Sequence, residues 1–406
     1  MTAPNGSPHL IWVYPMALNS KLDAATWLDT THELRQMGWK VTLVTSGSHD
    51  GTQKIRGIEV FCISIPPVYF LRYILFHWRF LKLRQVWDQA DVILFGPLSA
   101  PWLLPLRLMR ILRHCKRPLL AMDTRSLNME LPSRQGWKGY LRDKYVRLMN
   151  VLTFRWADGQ TVITDRMGRS LGIPPEKLWG VWPSGVDVNR FHSCPTWRRW
   201  PTEIEPVRLG YIGALEYGRN LMGFAVAVEK ANTKGMCFQF TLVGDGTQRA
   251  ALEEYARSSS GRIAVASSIP YDKIPDFLSG VHVGVLPFPN EEKFQVCSPI
   301  KLFEYMAAGL PILATRISCH TDVLKEGPYV FWAESANEDG LLQALSSLWR
   351  QRHTLEDLSM EAISAAQAWT WRESAVKLKS ALERGMMRSA SSAASEMNTL
   401  RRQTPS

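Results

Sequence analysis

The sequence predicts an α/β protein of two doubly wound domains, each a parallel sheet with helices on both faces. Short runs rich in β-branched and aromatic residues alternate with helical stretches along most of the 406-residue chain. Strands separated by helices of this length indicate parallel β-α units. The alternation stops in a polar, proline-punctuated segment at 192–206 and then begins again. The chain is also long enough for two or three domains, at about 150 residues per domain.

The N-terminal half shows six strand patterns separated mostly by helical ones. The predicted strands are 9–14, 40–45, 58–63, 92–95, 118–122 and 160–163, and the predicted helices are 23–37, 70–87, 102–114 and 140–154. Connecting helices of this length allow successive strands to lie parallel. We therefore expect residues 1–192 to form the first domain, followed by a linker at 193–206.

The C-terminal half repeats the pattern with five further strands. The predicted strands are 208–212, 238–243, 263–266, 283–288 and 311–314, and helices are predicted from 221 onward, over 248–257 and over 301–308. We expect a second domain at 207–365, and a helix at 366–385 that is a candidate to cross back to the first domain. Residues 386–406 are rich in Ser, Ala and Arg without periodicity, which predicts a disordered tail.

Composition and charge narrow the classes of function. Apolar residues make up 46% and charged residues 21%, which is typical of a globular protein and excludes extensive disorder. The net charge of +11 favours an anionic partner: a nucleic acid, a phosphorylated small molecule or an acidic membrane surface. No nucleic-acid-binding motif accompanies the charge, so a nucleic-acid partner is not expected. None of the six cysteines forms a Cys-x-x-Cys pair, so neither a metal site nor a disulfide framework is indicated.

The apolar segments do not predict membrane insertion. The uncharged run 92–106 has 15 residues and three prolines. A membrane-spanning helix needs about 18 or more apolar residues, so this run is too short and too broken. The first residues also lack the apolar core of a signal peptide. We expect a cytoplasmic protein that is either soluble or peripheral on the inner face of the membrane.

Four motifs follow one another over roughly 185–315. They are Ser184-Gly-Val-Asp-Val-Asn-Arg-Phe191, Gly213-Ala-Leu-Glu-Tyr-Gly-Arg-Asn220, Leu242-Val-Gly-Asp-Gly246 and Ser298-Pro-Ile-Lys-Leu-Phe-Glu-Tyr-Met-Ala-Ala-Gly-Leu-Pro-Ile-Leu-Ala314. In this order they resemble the Asn-Gly-Val-Asp…Phe signature, the phosphate-binding loop, the Val-Gly-Asp-Gly turn and the donor-binding motif of retaining GT-B glycosyltransferases. The family is glycosyltransferase family 4, in the subgroup whose donor motif reads Ser-Pro-x-Lys-x-x-Glu-Tyr.

This resemblance implies a GT-B fold, in which two Rossmann-like domains face a central cleft. It implies an enzyme that moves a sugar, with retention of configuration, from a nucleoside-diphosphate sugar to a saccharide or lipid-linked acceptor in polysaccharide or glycoconjugate synthesis. Transfer on the front face would need no protein nucleophile, no obligatory cofactor and no metal. The alternatives are a non-catalytic GT-B subunit and a nucleotide-sugar 2-epimerase.

The donor motif also suits a nucleotide on physical grounds. Ser298 is a good N-cap and Pro299 fits a first helical turn, so a helix is expected to begin here. Its free N–H groups and positive dipole end suit a diphosphate, and Lys301 can add a charge-assisted hydrogen bond. Glu304, one turn further along, can accept hydrogen bonds from two ribose hydroxyls. The structural alternative for Ser298-Pro299 is an ordinary helix start, and that for Lys301 is a solvated charge.

The phosphate loop keeps one of its two expected cations. The resemblance places Gly213 at the start of the loop and Arg219 at a position that is usually Lys, so Arg219 is predicted to contact the leaving diphosphate. Ala214 stands where the family has Arg. Asn19 or Ser20, after the first strand, could cap another phosphate-facing helix.

The donor motif lacks its first glutamate. In the family's donor motif, a first glutamate lies eight positions before the second and contacts the transferred sugar. The position eight residues before Glu304 is Val296, so this contact is missing here. Glu291 or Glu292 could substitute, or could lie in a solvated loop.

The acceptor side carries a different candidate pair. Asp123 and Arg125 follow a predicted strand where the family often has His, and they resemble an acidic-x-Arg variant found in some bacterial members. Arg125 would then be an active-site group. Asp123 could bind an acceptor hydroxyl or pair with Arg125. His282 and His320 are expected to be structural.

A basic stripe predicts a contact with anionic lipid. Arg107, Arg110 and Arg113 recur every three residues on one predicted helix of the first domain, interleaved with apolar side chains. On the preceding predicted helix, one side carries Arg72, Arg79 and Lys82. The functional interpretation is a peripheral docking face for the membrane. The structural alternative is a helix that covers its own sheet and turns its basic residues to water.

Overall fold

The computed structural model describes the chain apart from residues 1–5, 19–23, 56, 67–70, 116, 128–135, 260 and 404–406. The chain divides into two compact units. The first unit comprises 1–125, 137–183 and 371–406, and the second comprises 126–136 and 184–370. Each unit contains one mainly parallel sheet with helices. The predicted α/β class with two Rossmann-like halves is therefore confirmed.

The first unit is built on an eight-stranded sheet in the order β3-β4-β2-β1-β5-β6-β7-β8. Its strands are β1 (His9–Tyr14), β2 (Lys40–Gly47), β3 (Gly51–Ile55), β4 (Ile58–Ser64), β5 (Val92–Phe95), β6 (Leu119–Thr124), β7 (Gly159–Val162) and β8 (Leu178–Val181). The hairpin strand β3 runs antiparallel to β4, and the other pairs are parallel. The central strands are apolar along their whole length because helices cover both faces of the sheet.

The helices of the first unit form one layer on each face of this sheet. They are α1 (Ala24–Gln36), α2 (Leu71–Lys82), α3 (Arg84–Trp87), α4 (Leu103–Leu112), α5 (Gly136–Trp156), α6 (Asp165–Ser170) and α17 (Trp371–Gln403), and Pro97–Trp102 is a 3-10 helix. On one face α1 and α17 pack on strand residues such as Leu10 and Trp12. On the other face α2, α4 and α5 pack on the alternate residues, such as Ile11 and Val13.

The second unit has a six-stranded sheet in the order β11-β10-β9-β12-β13-β14. Its strands are β9 (Val207–Ile212), β10 (Phe238–Val243), β11 (Ile263–Ala266), β12 (Val283–Leu286), β13 (Ile312–Thr315) and β14 (Val330–Ala333), and all neighbours are parallel. Numbered within the unit, this is the order 3-2-1-4-5-6. In such a sheet the strand order reverses beside the first strand, and ligands bind at the carboxyl ends there. The carboxyl ends of β9 and β12 are therefore the expected place for a site.

Helices connect these strands and complete the unit. They are α7 (Val188–Phe191), α8 (Cys194–Trp197), α9 (Leu221–Thr233), α10 (Arg249–Ser258), α11 (Ile274–Ser279), α12 (Glu292–Gln295), α13 (Ile300–Ala307), α14 (Ser318–Leu324), α15 (Glu338–Arg350) and α16 (Leu355–Ala366). Short 3-10 helices lie at Tyr217–Arg219, Tyr271–Lys273, Arg352–Thr354 and Gln367–Trp369.

The segment predicted as a linker is anchored in the second unit. The unit begins at Ser184 rather than near 207, and Arg198 lies buried within it. The guanidinium donates to the carbonyls of Leu278, Val281, Ala308 and Gly309 at 2.7–3.0 Å. Burial lowers the pKa of Arg198 to about 10, so it stays charged. Its charge meets the carbonyl ends of α11 and α13, where the helix dipole is negative.

Replacing Arg198 with methionine is expected to lower the free energy of unfolding by about 2 kcal/mol or more. The change removes hydrogen bonds to four carbonyls, and each buried acceptor left unsatisfied costs about 1–3 kcal/mol before relaxation. Urea denaturation of the variant gives the value, and the exposed neighbour Arg199→Met is the matched control. Equal stability of wild type and Arg198→Met would mean that the cost of burying the charge cancels the hydrogen bonds.

The C-terminal segment is helical where disorder was predicted. The predicted helix at 366–385 is replaced by the end of α16, a 3-10 turn and α17, which continues to Gln403. In the first unit, Arg384 of α17 donates to Trp179 O at 2.8 Å, and Leu378 lies in the core. Helix α17 thus extends over 386–403, where the composition predicts a disordered tail. Among the described residues, no helix is long and apolar enough to cross a membrane.

Candidate nucleotide and acceptor sites

Two glycines hold the loops after β9 and β10 against each other. Gly213 and Gly244 have positive φ angles of 152° and 151°, which glycine adopts most readily. A Cβ atom on Gly244 would lie 1.8 Å from the carbonyl oxygen of Gly213, so the two backbones can approach only without a side chain. The Gly-Asp-Gly motif therefore serves loop packing, and Gly213 starts the loop that leads to Arg219.

Arg219 lies at the switch point of the second sheet. Its Nη1 donates to Tyr211 Oη at 3.3 Å, and its guanidinium lies 5.3 Å from the centre of the Phe288 ring. Tyr211 is in β9, and Phe288 follows β12 by two residues. Burial raises the pKa of Tyr211, so its hydroxyl stays protonated and donates to Ala214 O at 3.0 Å. The arginine is thus held in place at the carboxyl ends of both strands.

Ser298 does not cap the helix, contrary to the prediction. Helix α13 begins at Ile300, and its N-cap is Pro299, which makes no side-chain cap bond. The Ser298 hydroxyl instead accepts from Ser184 N at 3.1 Å, while Ser184 Oγ donates to Ser298 O at 2.9 Å. The serine is therefore used to join two of the motifs, 184–191 and 298–314, and the helix start keeps its N–H groups without that cap.

Lys301 and Glu304 form a buried ion pair on α13. Lys301 Nζ lies 2.9 Å from Glu304 Oε2, and the glutamate side chain is 0% exposed. The second carboxylate oxygen, Oε1, is buried and has no hydrogen-bond partner. Buried polar atoms are nearly always bonded, so an unpaired carboxylate oxygen indicates a place where a donor binds.

Tyr305 connects this helix to the end of β9. Ile212 N donates to Tyr305 Oη at 3.1 Å, and burial raises the pKa of Tyr305 well above its ordinary value. Since Ile212 immediately precedes Gly213, Glu304 and the phosphate loop border the same strand end. The structure thus brings the predicted residues Gly213, Arg219 and Glu304 to one side of one sheet.

The structure describes the position of the missing first glutamate and both of its candidate substitutes in the loop before α13. Val296 is buried and apolar, so its side chain offers no acceptor to a sugar hydroxyl. Glu291 lies 2.8 Å from Lys293 Nζ, and Glu292 is exposed at the start of α12. The alternative candidates Asn19 and Ser20 lie outside the described residues.

The acceptor-side candidates form a buried cluster in the first unit. Asp123 Oδ1 accepts from Thr161 Oγ1 at 2.7 Å and from Trp182 Nε1 at 2.9 Å. Its other oxygen lies 3.9 Å from Arg125 Nη1, and the Arg125 guanidinium stacks 3.5 Å from the centre of the Trp182 ring. Asp123 is 5% exposed, so it is enclosed and positions Trp182 and Arg125. The sequence analysis did not identify Trp182 as part of this cluster, because strand β8, which precedes it, has no distinct sequence pattern.

The stability of the protein should depend on the ionisation of Asp123. Burial raises the pKa of this carboxyl. The charge of Arg125 opposes this effect but does not cancel it. The unfolded state therefore loses this proton at lower pH than the folded state, and the contribution to stability falls as pH rises above about 4. Asp123→Asn should gain stability relative to wild type between pH 4 and pH 8, as measured by urea unfolding. A difference that does not change with pH would show that folding leaves this pKa unaltered.

His282 and His320, which are expected to be structural, are both buried. His282 accepts from Arg208 N at 3.0 Å, and burial lowers its pKa to about 4. His320 is fully buried beside Thr315 O, 2.8 Å away, and burial also lowers its pKa to about 4. Both are therefore neutral at pH 7. Within the described part of the chain, no group of three His, Cys, Asp or Glu side chains could hold a metal ion.

Comparison with known proteins shows which proteins the chain is similar to. Residues 206–351 match the family model described as "Glycosyl transferases group 1". The 2-deoxystreptamine glucosyltransferase of Streptomyces kanamyceticus is 28% identical over 172 residues, which are 39% of this chain and 43% of that protein. A proposed colanic acid biosynthesis glycosyltransferase of Salmonella typhimurium, WcaL, is 25% identical over 218 residues, 52% of each chain. The chain thus spans about half the length of these relatives.

Solved structures extend the likeness to the whole fold. Sucrose-phosphate synthase from Thermosynechococcus elongatus has a TM-score of 0.71 at 15% identity, with 95% of this chain and 100% of that chain covered. HepE of Anabaena, solved in complex with UDP, has a TM-score of 0.66 at 12% identity and coverages of 93% and 99%. The fold is GT-B. Residues 206–351 are thus similar to a glycosyltransferase segment, and the solved structures show that the fold of the chain resembles theirs.

Proposed function

We propose that the protein transfers a sugar from a nucleoside-diphosphate sugar to a saccharide or lipid-linked acceptor, with retention of configuration, in polysaccharide or glycoconjugate synthesis. The observation that carries the proposal is the buried, unpaired Oε1 of Glu304. A ribose offers two adjacent hydroxyl donors, and α13 is bonded through Tyr305 to the end of β9 at the switch point. The UDP complex of HepE supports a nucleoside diphosphate as the ligand class.

Arg219, Lys301 and the start of α13 would stabilise the leaving diphosphate. In the proposed step, the bond from the anomeric carbon to the diphosphate breaks with its electron pair on the diphosphate oxygen. The acceptor hydroxyl oxygen bonds to the anomeric carbon on the same face, and its proton passes to the departing diphosphate. The protein supplies preorganised positive charge, which is most effective when the negative charge develops. The proposal includes no nucleophilic side chain, no obligatory metal and no cofactor.

The acceptor would contact the cluster around Arg125. The guanidinium is held over Trp182, and its side chain is 13% exposed. A fixed arginine can orient an acceptor hydroxyl or a neighbouring anionic group. Two relatives are named for glycosyl transfer to 2-deoxystreptamine, which supports an acceptor rich in hydroxyls. We further propose that the enzyme acts in the cytoplasm, at the inner face of the membrane when the acceptor is lipid-linked.

Thermal unfolding with UDP, GDP, ADP and their sugars tests the donor site. One nucleotide series should raise the melting temperature, because a ligand at 100 times its Kd stabilises the folded state by about 2.7 kcal/mol. The corresponding nucleoside without phosphates is the control and should give a much smaller shift. The absence of any shift at about 1 mM nucleotide, the upper end of ordinary enzyme affinities, would contradict the proposal.

A further inference from the structure

The three arginines of the basic stripe predicted on α4 form hydrogen bonds or ion pairs with other residues of the first unit. Arg110 forms a bidentate contact with Asp158, at 2.5 and 3.1 Å. Arg113 lies 2.8 Å from Asp88, and Arg107 donates to the carbonyl of Arg155. These arginines are therefore engaged within the first unit. A membrane contact through the basic residues stays a prediction.

The same face of the first unit exposes large apolar side chains instead. Helices α2, α4 and α5 pack their inner sides on one face of the sheet and leave their outer sides uncovered. The exposed apolar residues are Leu71, Ile74 and Trp78 in α2, Leu104, Leu108, Ile111 and Leu112 in α4, and Trp137, Tyr140, Leu141, Leu148 and Val151 in α5. We call this set the apolar face. Leu112 is 80% exposed and Leu108 is 50% exposed, so the outer side of α4 is fully open to contact.

The positions on each helix form continuous stripes. In α4 the exposed residues lie at i, i+4, i+7 and i+8, and in α2 they lie at i, i+3 and i+7. The spacing in α5 is i, i+3, i+4, i+11 and i+14. Residues at such intervals share one side of a helix. Each helix is thus apolar on the inner side, which faces the sheet, and again on the outer side.

The charge of these helices identifies the partner. Helices α2 and α5 have three and five basic residues against one acidic residue, Asp143. Of these, Arg79 is paired with Asp50, and the two arginines of α4 bond within the unit. Lys82 Nζ lies 3.4 Å from the centre of the Trp78 ring, and Lys144 Nζ lies 5.5 Å from that of Tyr140. Aromatic rings with adjacent cations are favoured at the headgroup level of a bilayer. A second copy would bring the same basic excess against itself, because a two-fold interface uses one patch twice.

We propose that the apolar face inserts into the surface of an anionic membrane, with Lys82 and Lys144 at the level of the headgroups. Insertion of the apolar side chains holds the protein, and the basic residues select anionic lipid. This arrangement is that of an interfacial amphipathic surface, which lies in the membrane plane without crossing it. The inference is compatible with the proposed function but does not rest on it, since it uses none of the donor-site residues.

Co-sedimentation with vesicles tests the proposal. The full chain should bind vesicles of phosphatidylglycerol and phosphatidylcholine. The combined variant Leu108→Ser, Ile111→Ser and Leu112→Ser should bind at least about tenfold more weakly, since apolar burial in the bilayer drives the contact. The matched control removes three exposed apolar side chains of the second unit, through Trp197→Ser, Ile204→Ser and Met360→Ser, and should bind like the wild type.

Further measurements distinguish the proposal from its rivals. Lys82→Gln with Lys144→Gln should remove the preference for phosphatidylglycerol over pure phosphatidylcholine. The nucleotide-induced shift in melting temperature, measured on the same proteins, should survive in the α4 variant, which separates this surface from the donor site. Wild-type protein that stays in the supernatant, or an α4 variant that binds as well as wild type, would overturn the proposal. So would a wild-type dimer that the α4 changes convert to a monomer, because a second copy would then cover this face.

Discussion

Replacing Arg219 with methionine is expected to lower kcat by at least about 100-fold, with a much smaller change in the KM for the donor. Removal of one preformed group that stabilises developing negative charge costs about this factor in other enzymes. Tyr211 and Phe288 hold the guanidinium at the switch point before any ligand arrives, so little reorganisation accompanies the reaction. The rate of nucleoside diphosphate release from the donor sugar measures the effect.

Arg257→Met in α10 is the matched control for this prediction. Arg257 is an exposed arginine of the same unit, and its Nη2 lies 3.1 Å from Glu254 Oε2 on the same helix. Replacing it should leave kcat unchanged. An Arg219 variant in which KM rises and kcat is unaltered would show that the arginine binds ground state and transition state equally.

Replacing Glu304 with glutamine is expected to lower the free energy of unfolding of the ligand-free protein by about 3 kcal/mol. As a motif residue, Glu304 is predicted only to bind the ribose. The structure adds the buried ion pair with Lys301, and removing one partner of a buried pair leaves an uncompensated charge that costs about 3–5 kcal/mol. Urea unfolding measures the loss.

A double variant shows whether the loss of stability in Glu304→Gln comes from the unpaired charge of Lys301. Glu304→Gln combined with Lys301→Met removes both charges, so it should be more stable than Glu304→Gln alone. A double variant that is less stable than the single one would mean that Lys301 stabilises α13 through other contacts.

The sequence was most informative where a strand is apolar along its whole length. Strands β9 and β12 lie in the middle of their sheet, covered on both faces, and both were predicted. Strands β3 and β8 were missed, and both are edge strands of the first sheet. An edge strand needs no full apolar pattern, and Gly51–Ile55 is largely polar.

The candidate site residues were predicted by motif, whereas the groups that they bond to were not. Lys301, Glu304 and Arg219 carry motif positions, and their spacing predicts a shared region. The hydroxyl of Ser298 bonds to Ser184, which lies 114 residues away, and Arg110 bonds to Asp158, 48 residues away. Local sequence cannot show which distant group competes for a side chain. For that reason the N-cap at Ser298 was expected in error, and the bond from Arg110 to Asp158 was not predicted.

The central claim is that Glu304 holds the ribose of a nucleoside diphosphate, and calorimetric titration tests it most directly. The nucleoside diphosphate that stabilises the wild type is titrated into the wild type and into Glu304→Gln, at a temperature at which both are folded. The same titrations are repeated with its 2′-deoxy analogue. Loss of a hydrogen bond to a charged group costs about 1.5–3 kcal/mol, so the Kd should rise by roughly 10- to 150-fold in the variant. The wild type should also discriminate against the deoxy analogue, whereas the variant should not. An unchanged Kd in Glu304→Gln, with equal discrimination in both proteins, would contradict the account.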